Sequence, residues 1–421
     1  MLDIKFIRDN KDLVDAGAKK KRINFDVNKL IEVDDKRKEL LQKVEELRAK
    51  QNEVSQKIPT ASDDDKATFL EEMKTVKADL LAFEEELKPI MQEWQALMLQ
   101  VPNIPDMSVP EGGEEDFVEV RTYGEKPNFN FEAKDHIDLV LKNDMADFER
   151  GVKIAGFRGY ILKNDGAMLQ WALLQFVLNH ITKKGYVPMI VPALVNRQTL
   201  LGTGYIPQGE DDLYKTQDGD FLSGTGEVAT MSYYADEVIP KEKLPVKFIS
   251  YSSCFRREAG SHGKDTKGLV RVHEFPKLEQ VILCEANHEE TVKFHEELLA
   301  NAEEIMQLLK IPHRVILTAA GDIGLGQVKK YDIEAWVPSQ NNYRETHSAS
   351  YFHDFQTRRL NIKYQDGDKK RYAHSLNNTA IAFPRILVPI VENYQQADGR
   401  IKVPEVLVKY IGKEYLGKSQ E

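Results

Sequence analysis

From Val33 the apolar positions fall at Leu40, Val44, Leu47, Val54 and Ile58, in steps of three, four or seven. That is the heptad spacing of a helix packed along another helix. After the loop "PTASDDD" a second seam runs through Phe69, Met73, Val76, Leu80, Phe83, Leu87, Ile90, Trp94, Leu97 and Val101. Aspartates in the loop suit a helix N-terminus, because they cap free amides and favour the positive end of the helix dipole. The two segments are therefore expected to fold back as an antiparallel hairpin. At 1.5 Å per residue, helices of about 30 and about 40 residues span roughly 45–60 Å, more than a core requires. Pro89 lies inside the second seam and is expected to kink that helix or end a segment of it, since it removes a backbone bond and crowds the preceding turn.

The pattern changes after Val101. "VPNIPDMSVPEGGEED" is rich in Pro, Gly and acids and reads as a linker, placing an N-terminal domain at 1–103 and a second at 104–421. The second part mixes periods. A helix "AMLQWALLQFVLNHITKKG" precedes a strand-like "YVPMIVPALV"; alternating strands follow, then a helix around "HEELLANAEEIMQLLK" and a strand-to-helix passage "LNNTAIAFPRILVPIVENY". Hairpins outnumber strands separated by crossover helices, so the fold class is α+β, an antiparallel sheet with helices against it.

Composition narrows the class. The chain has 421 residues, 30% of them charged and 41% hydrophobic, enough for a large core and a further module. No apolar run approaches the roughly 20 residues of a membrane span, and the first residues, "MLDIKFIRDNKDLVDAGAKKKR", carry charges where a signal peptide would be apolar. A cytoplasmic protein with no membrane partner is expected. Cys254 and Cys284 are the two cysteines, too few for a disulfide framework or a four-thiolate zinc site, and are expected to pack as small apolar residues. A net charge of −10 speaks against a general coat for polyanions but leaves room for a local basic face. The first long helix offers one in Lys36, Arg37, Lys38, Lys43, Arg48, Lys50 and Lys57, a cationic stripe if several share a face; the ordinary reading of such charges is solvation.

Candidate chemistry concentrates in "YSSCFRREAGSHGKDTKGLVRVHEFPKLE", Tyr251 to Glu279. With a strand's period of two, Arg256 and Glu258 share a face, a Gly-rich loop turns the chain, and Arg271, His273, Phe275 and Glu279 keep one parity on the return. A guanidinium on a strand pairs bidentately with phosphate, a neighbouring carboxylate accepts from an amino group, and a flat ring stacks on a purine. Alone, "RRE" on a strand is an ordinary surface ion pair. Its combination with Arg271, Phe275 and Glu279 across one hairpin points to a nucleotide.

These residues resemble motif 2 of class II aminoacyl-tRNA synthetases in the form found in the seryl-tRNA synthetase family. "GYVPMIVPALV" resembles motif 1 with its proline at Pro192, and "NNTAIAFPRILVPIVENYQQADGRIKVPEVLVKYIG" resembles motif 3 and the family's C-terminus. "TGYIPQGEDDLYKT", "GTGEVATMSYY" and "YRETHSASYFHDFQTRR" are similar to segments of the same family, and the hairpin is similar to its tRNA-binding arm. The likeness spans nearly the whole chain. It implies ATP-dependent activation of L-serine to seryl-adenylate and transfer of serine to tRNA(Ser), leaving tRNA(Sec) open as a second acceptor. It also implies a homodimer built on motif 1.

By that resemblance Arg256 and Arg385 are the catalytic arginines, Arg256 at the α-phosphate and serine carboxylate, Arg385 at the γ-phosphate. Arg257, Glu258, Arg271, Val272, Phe275 and the run Glu345, Thr346, His347 and Ser348 belong to the ATP site. Glu258 is implied beside the adenine amino group, Phe275 on the ring, the Val272 backbone against the nucleotide, and Glu345 with Ser348 around Mg2+, a hard cation that takes oxygen ligands. Thr225, Gly226, Glu227, Arg256, Glu279, Asn377 and Thr379 are implied around serine. Taken singly, Thr225 reads as a strand residue, Thr379 as a turn or cap and Glu279 as a surface carboxylate. Gly226 stands where the family usually has alanine, and "THSASYFHDF" and "NNTAIAFPR" depart from its commoner forms. A related enzyme that loads carrier proteins would lack the arm; a catalytically dead relative would lose the arginines. Both features are present here.

Overall fold

The computed structural model describes residues 1–60, 62–260, 263 and 265–417. The chain forms two compact units, Met1–Pro102 and Asn103–Glu421, one residue from the division expected at 103/104.

In the first unit two short helices, Ile4–Asp9 and Lys11–Lys20, lead into α1, Val27–Lys57, and α2, Asp63–Gln100. Asp26 caps α1 by accepting from the Lys29 amide at 3.1 Å. Ser62 caps α2, with Asp63, Asp64 and Asp65 in the first turn, the arrangement the helix dipole favours. Along the seams Val33, Leu40, Val44 and Val54 of α1 are buried, as are Met73 and Val76 of α2, while the remaining predicted positions within the helices are half-buried. Two helices alone cannot enclose a heptad seam on every side. The antiparallel pairing is tied across by Lys29 to Glu93 at 3.3 Å, Arg48 to Glu84 at 2.6 Å and Lys50 to Glu72 at 2.8 Å. Contrary to the expectation that Pro89 could end a segment, α2 is continuous through it. Pro89 and Glu85, whose carbonyl loses its helical donor, are both on the exposed side, where water can replace the missing bond.

The cationic stripe is not bare. Lys36 contacts Glu32, Arg37 and Lys38 contact Asp34, Lys43 contacts Glu39 and Lys57 contacts Glu53. With Arg48 and Lys50 bound across to α2, each of the predicted basic residues has a carboxylate beside it.

The second unit is organised on an eight-stranded sheet. In chain order its strands are β1 Val118–Tyr123, β2 Val187–Ile190, β3 Val246–Phe255, β4 Glu274–Cys284, β5 His313–Leu317, β6 Lys329–Val337, β7 Asn342–His353 and β8 His374–Ala382. Across the sheet the order is β1-β5-β6-β7-β8-β4-β3-β2. All neighbours are antiparallel except β2 with β3, which fits the α+β expectation. Helices α3, Asn164–Thr182, and α5, His288–Leu308, cover one face, with the short α4, Gly226–Met231, between them in sequence. Their apolar residues, Leu169, Leu173 and Val177 of α3 and Leu298, Ala302 and Ile305 of α5, join Leu278, Ile282, Ile333, Ala349 and Leu376 in the main core. Cys254 and Cys284 are buried and unpaired with each other. No helix among the described residues is long and apolar enough to cross a membrane.

Side-chain alternation on the central strands separates core from site. In β4, Leu278, Ile282 and Cys284 join the main core, while Phe275, Lys277 and Glu279 line the cavities. Two irregularities adjust the register. Leu278 pairs with Ile381 but Glu279 with Thr379, so the extra residue Ala380 brings Thr379 opposite Glu279. Ile333 pairs with His347 but Glu334 with Glu345, which sets Ser348 opposite Asp332.

Candidate active site

The predicted hairpin is real but shorter than its parity required. β3 ends at Phe255 and β4 begins at Glu274. One rung continues beyond them, the Arg256 amide donating to the His273 carbonyl at 2.9 Å. Glu258 then takes a left-handed backbone, φ 56°, so Arg256 and Glu258 are not related by strand alternation. The tip residues Ser261, His262 and Lys264 lie outside the described residues. His273 also leaves the expected face: its ring packs edge-on against Phe157 and Tyr214, and its Nδ1 lies 2.8 Å from the Arg256 carbonyl oxygen.

Three cavities meet on the polar face of the sheet, and Arg256 and Glu345 line all of them. The first is walled by Glu258, Arg271, Val272, Phe275, Thr346 and Arg385. Here the Arg256 guanidinium sits over the Phe275 ring, 5.5 Å from its centroid, with Nε donating to the Gly224 carbonyl at 3.2 Å. Arg271 pairs with Glu258 at 3.0 Å and Asp265 at 3.2 Å. An aromatic face and three guanidiniums, those of Arg256, Arg271 and Arg385, thus surround one slot.

The second cavity extends past Glu345 to Arg344, Arg314 and Asp332. Arg385 approaches the Glu345 carboxylate at 3.5 Å. Packing works against the charge on Glu345, but Arg385, Lys330, Arg256 and Arg271 outweigh it and hold its carboxyl below the usual range. Asp332 is buried; Lys330 lies 3.2 Å from its Oδ2, and its Oδ1 has no partner.

The third cavity, of about 420 Å3, holds Thr225, Glu227, Lys277, Glu279, Asn377, Thr379 and Ser348. Lys277 donates to Thr225 Oγ1 at 2.6 Å and to Glu279 Oε2 at 2.6 Å, and the Thr379 hydroxyl reaches the same carboxylate oxygen at 3.4 Å. Thr225 in turn caps α4 by accepting from the Glu227 amide at 3.2 Å. Gly226 is buried behind this group; a Cβ there would sit 3.1 Å from Ser250 Oγ and 3.4 Å from the Glu279 Cβ. A methyl would therefore need a small give from its neighbours.

Besides Gly226, two predicted residues do not reach the cavities. His347 falls on the core side of β7, opposite Ile333, where burial pushes its imidazole down to about 3; strand alternation between Thr346 and Ser348 requires that side. Arg257 points outward and donates to the Asp211 carbonyl at 3.1 Å, fastening the loop to 210–212. Conversely, Lys277, Tyr205, Gln356 and Asp332 belong to the site and went unpredicted. Lys277 shares its parity with Phe275 and Glu279, so the same alternation points to it. Tyr205 comes from a loop and Gln356 from the short helix Phe355–Arg359; both fall in segments that resemble the family, but neither carries a periodic or motif signal of its own.

The profile of the seryl-tRNA synthetase N-terminal domain matches residues 1–105, and that of the class II tRNA synthetase core domain (G, H, P, S and T) matches 214–394. A serine--tRNA ligase of Deinococcus radiodurans is 45% identical over 99% of both chains, and one of Nitrosopumilus maritimus 40% identical over 98% of this chain and 99% of its own. Among solved structures, a seryl-tRNA synthetase of Pyrococcus horikoshii complexed with ATP superposes with a TM-score of 0.91 at 34% identity, each chain covered in full. A cytoplasmic serine-tRNA ligase of Naegleria fowleri in complex with AMP gives 0.87 at 30%, covering 100% of this chain and 99% of that one. The hairpin and the sheet are thus those of a known lineage, and the chain belongs to the seryl-tRNA synthetase family of class II aminoacyl-tRNA synthetases.

Proposed function

We propose that this chain joins L-serine to tRNA in two steps and that the three cavities divide the first step among them. Serine lies in the lobe of Thr225, Glu227, Glu279, Asn377 and Thr379, adenine stacks on Phe275 with Glu258 at its amino group, and the β- and γ-phosphates extend toward Arg385. The observation that carries this reading is the convergence of all three lobes on Arg256. A serine carboxylate oxygen held there attacks the α-phosphorus, the bond to the bridging oxygen breaks, and pyrophosphate leaves through the arginine-lined lobe. Arg256 neutralises the charge that builds at phosphorus, and the walls supply alignment. A terminal ribose hydroxyl of tRNA then attacks the acyl carbon of seryl-adenylate and AMP departs.

The donors fit Mg2+. Glu345 and Ser348 offer oxygen, and Asp332, whose buried Oδ1 has no hydrogen-bond partner, stands opposite Ser348 in the sheet. Among the described residues no three His, Cys, Asp or Glu side chains gather around one point, so a cation here would complete its shell with phosphate and water, as Mg2+ does. When bound it would neutralise phosphate charge. The serine lobe explains selectivity: buried polar groups left unpaired by alanine disfavour it by about 10⁴.

Two macromolecular readings accompany the chemistry. The arm binds tRNA(Ser) through backbone phosphates, its exposed lysines and Arg48 exchanging a solvated carboxylate for a phosphate. The chain works as a homodimer: Met168 and Trp171 of α3 and Val187 and Ile190 of the edge strand β2 are exposed, Trp171 by 60% and Ile190 by 86%, an apolar surface that a second copy would cover.

ATP–pyrophosphate exchange with a panel of amino acids tests the first step. Serine alone should support it. Replacing residues 29–101 by a short loop should leave exchange nearly unchanged and lower aminoacylation at least about 100-fold through lost tRNA affinity. Exchange with another amino acid would overturn the substrate, and intact charging after truncation would make the arm a rod.

A further inference from the structure

The Glu227 carboxylate is 2% exposed and each of its oxygens already has a donor. The Tyr205 hydroxyl donates to Oε2 at 2.8 Å, and the Gln356 amide donates to Oε1 at 2.6 Å. Gln356 cannot turn away. Its own Oε1 accepts from the Ser375 hydroxyl at 2.8 Å, and its Nε2 also reaches the Thr203 carbonyl at 3.1 Å. The amide is therefore a fixed strut in the interior, whereas Tyr205 lines the amino-acid lobe beside Thr225, Lys277 and Glu279.

We propose that Tyr205 is a positioning residue for amino-acid capture: its hydroxyl keeps Glu227 ionised and aimed, so that the pocket takes serine through its ammonium group and capture is gated by one proton. This rests on the assignment of that lobe to serine.

The charged groups around Glu227 make the gate sensitive. Burial, and then Glu279 of β4 across the lobe, push the carboxyl up to about 7, against the donors Gln356 and Tyr205 and the positive Lys277. Tyr205 itself is driven well above its ordinary value by burial and then by Glu227, so it stays a hydroxyl donor throughout. Arg256 is the further charge felt at Tyr205. Because the Glu227 value is raised, the empty pocket is protonated and uncharged at that carboxyl below about pH 7 and charged above it. Serine capture should rise with pH through that range. Removing a hydrogen bond made to the charged form raises the carboxyl further, so the acidic limb must move to higher pH.

The decisive variant is Tyr205→Phe, which keeps the ring and deletes the donor. In pyrophosphate exchange, serine kcat/KM should fall about five-fold at pH 6.5 and less than about two-fold at pH 8.5, corresponding to a limb displaced by about 0.8 of a unit. The KM for ATP should not follow this dependence. A loss equal at both pH values, or none, would make Tyr205 structural and overturn the proposal. Calorimetry of serine binding to the unmutated protein at pH 7 in two buffers gives a second readout that does not depend on how the variant folds. Release of about half a proton per serine is expected, since binding ionises the fraction of Glu227 that holds a proton. No release overturns the gate. Absence of any serine-dependent exchange in the unmutated protein would instead defeat the assignment of the lobe, a different result from either.

Discussion

Lys277–Glu279 and Lys50–Glu72 are the same chemical pair at nearly the same separation, 2.6 and 2.8 Å. In the cavity the two side chains are 5% and 2% exposed; in the arm they are 51% and 35% exposed. The contrast is sharpest in the amino-acid lobe, where Lys277 stands against Glu227 and Glu279, all nearly dry. Toward Arg385 the cavity opens: the Arg271 and Arg385 side chains are 29% and 24% exposed and that of Glu345 is 49% exposed. Arm cations are matched mostly by carboxylates in water, with Asp34, the buried partner of Arg37 and Lys38, as the exception. Burying a charge is costly unless it is paired, and in a low-dielectric site the same Coulomb interaction is several times stronger. The cavity therefore holds its charges in fixed places, where a reacting phosphate meets them without reorganisation. Arm charges can change partners at little cost, as an RNA backbone of variable shape requires.

The largest effect should come from breaking the cavity at its centre. Arg256→Ala removes the guanidinium that all three lobes share, and a charge-assisted contact to the reacting phosphate is strengthened as the transition state forms. Adenylate formation should fall at least about 10³-fold, with the sheet unchanged by circular dichroism. Near-normal exchange would mean that the cavity's charges are structural, and the contrast with the arm would lose its functional meaning.

A smaller effect, on stability this time, isolates the buried pair. Lys277→Met leaves Glu279 uncompensated beside Glu227 and should destabilise the catalytic unit by about 3–5 kcal/mol, read from the midpoint of urea unfolding. Adding Glu279→Leu should restore most of that loss, because an apolar pair of similar volume needs no desolvated charge. Serine activation should not return with it. Recovery of activity in the double variant would show that the pair serves the fold alone.

What the sequence made legible follows from the same physics. Heptad seams are local and periodic, so both arm helices were readable to within a few residues; of the two outcomes expected at Pro89, a kink or an end, the end does not occur, its lost bond lying on the exposed side. The sheet's site face was readable where alternation holds, which includes Phe275 and Glu279; Thr379 entered only through the family likeness, and a one-residue register shift sets it opposite Glu279. Alternation failed where the backbone departs from a strand, at Glu258 with its left-handed turn and at His273, whose ring packs away from the slot. His347 shows the opposite case. The family likeness drew the whole run from Glu345 to Ser348 into the site, while strict alternation would have put Glu345 with His347 on the core side; the register shift at Thr346 keeps Glu345 in the cavity and leaves His347 alone in the core. Tyr205 and Gln356 were invisible because only the folded chain brings residues so far apart in sequence onto one carboxylate.

The smallest effect separates the two roles of an arm lysine. Lys50→Ala removes the partner of Glu72 across the hairpin, yet both groups are already solvated, and an exposed pair gains little beyond what water and salt supply. Thermal unfolding of the arm should shift by less than about 1 °C. If Lys50 meets a phosphate, tRNA binding should weaken across all salt concentrations, and the slope of log affinity against log salt should fall by about 0.7–0.9, the share of a single neutralised phosphate. Glu72→Ala makes the complementary test. It frees Lys50 from its carboxylate, so binding should stay the same or tighten while stability again barely moves. A large loss of stability in either variant would mean that the arm's pairs are held as firmly as those of the cavity, and exposure would no longer explain the difference between the regions. An unchanged salt slope in Lys50→Ala would leave Lys50 a surface charge and move the search for the phosphate-binding cation to the rest of α1.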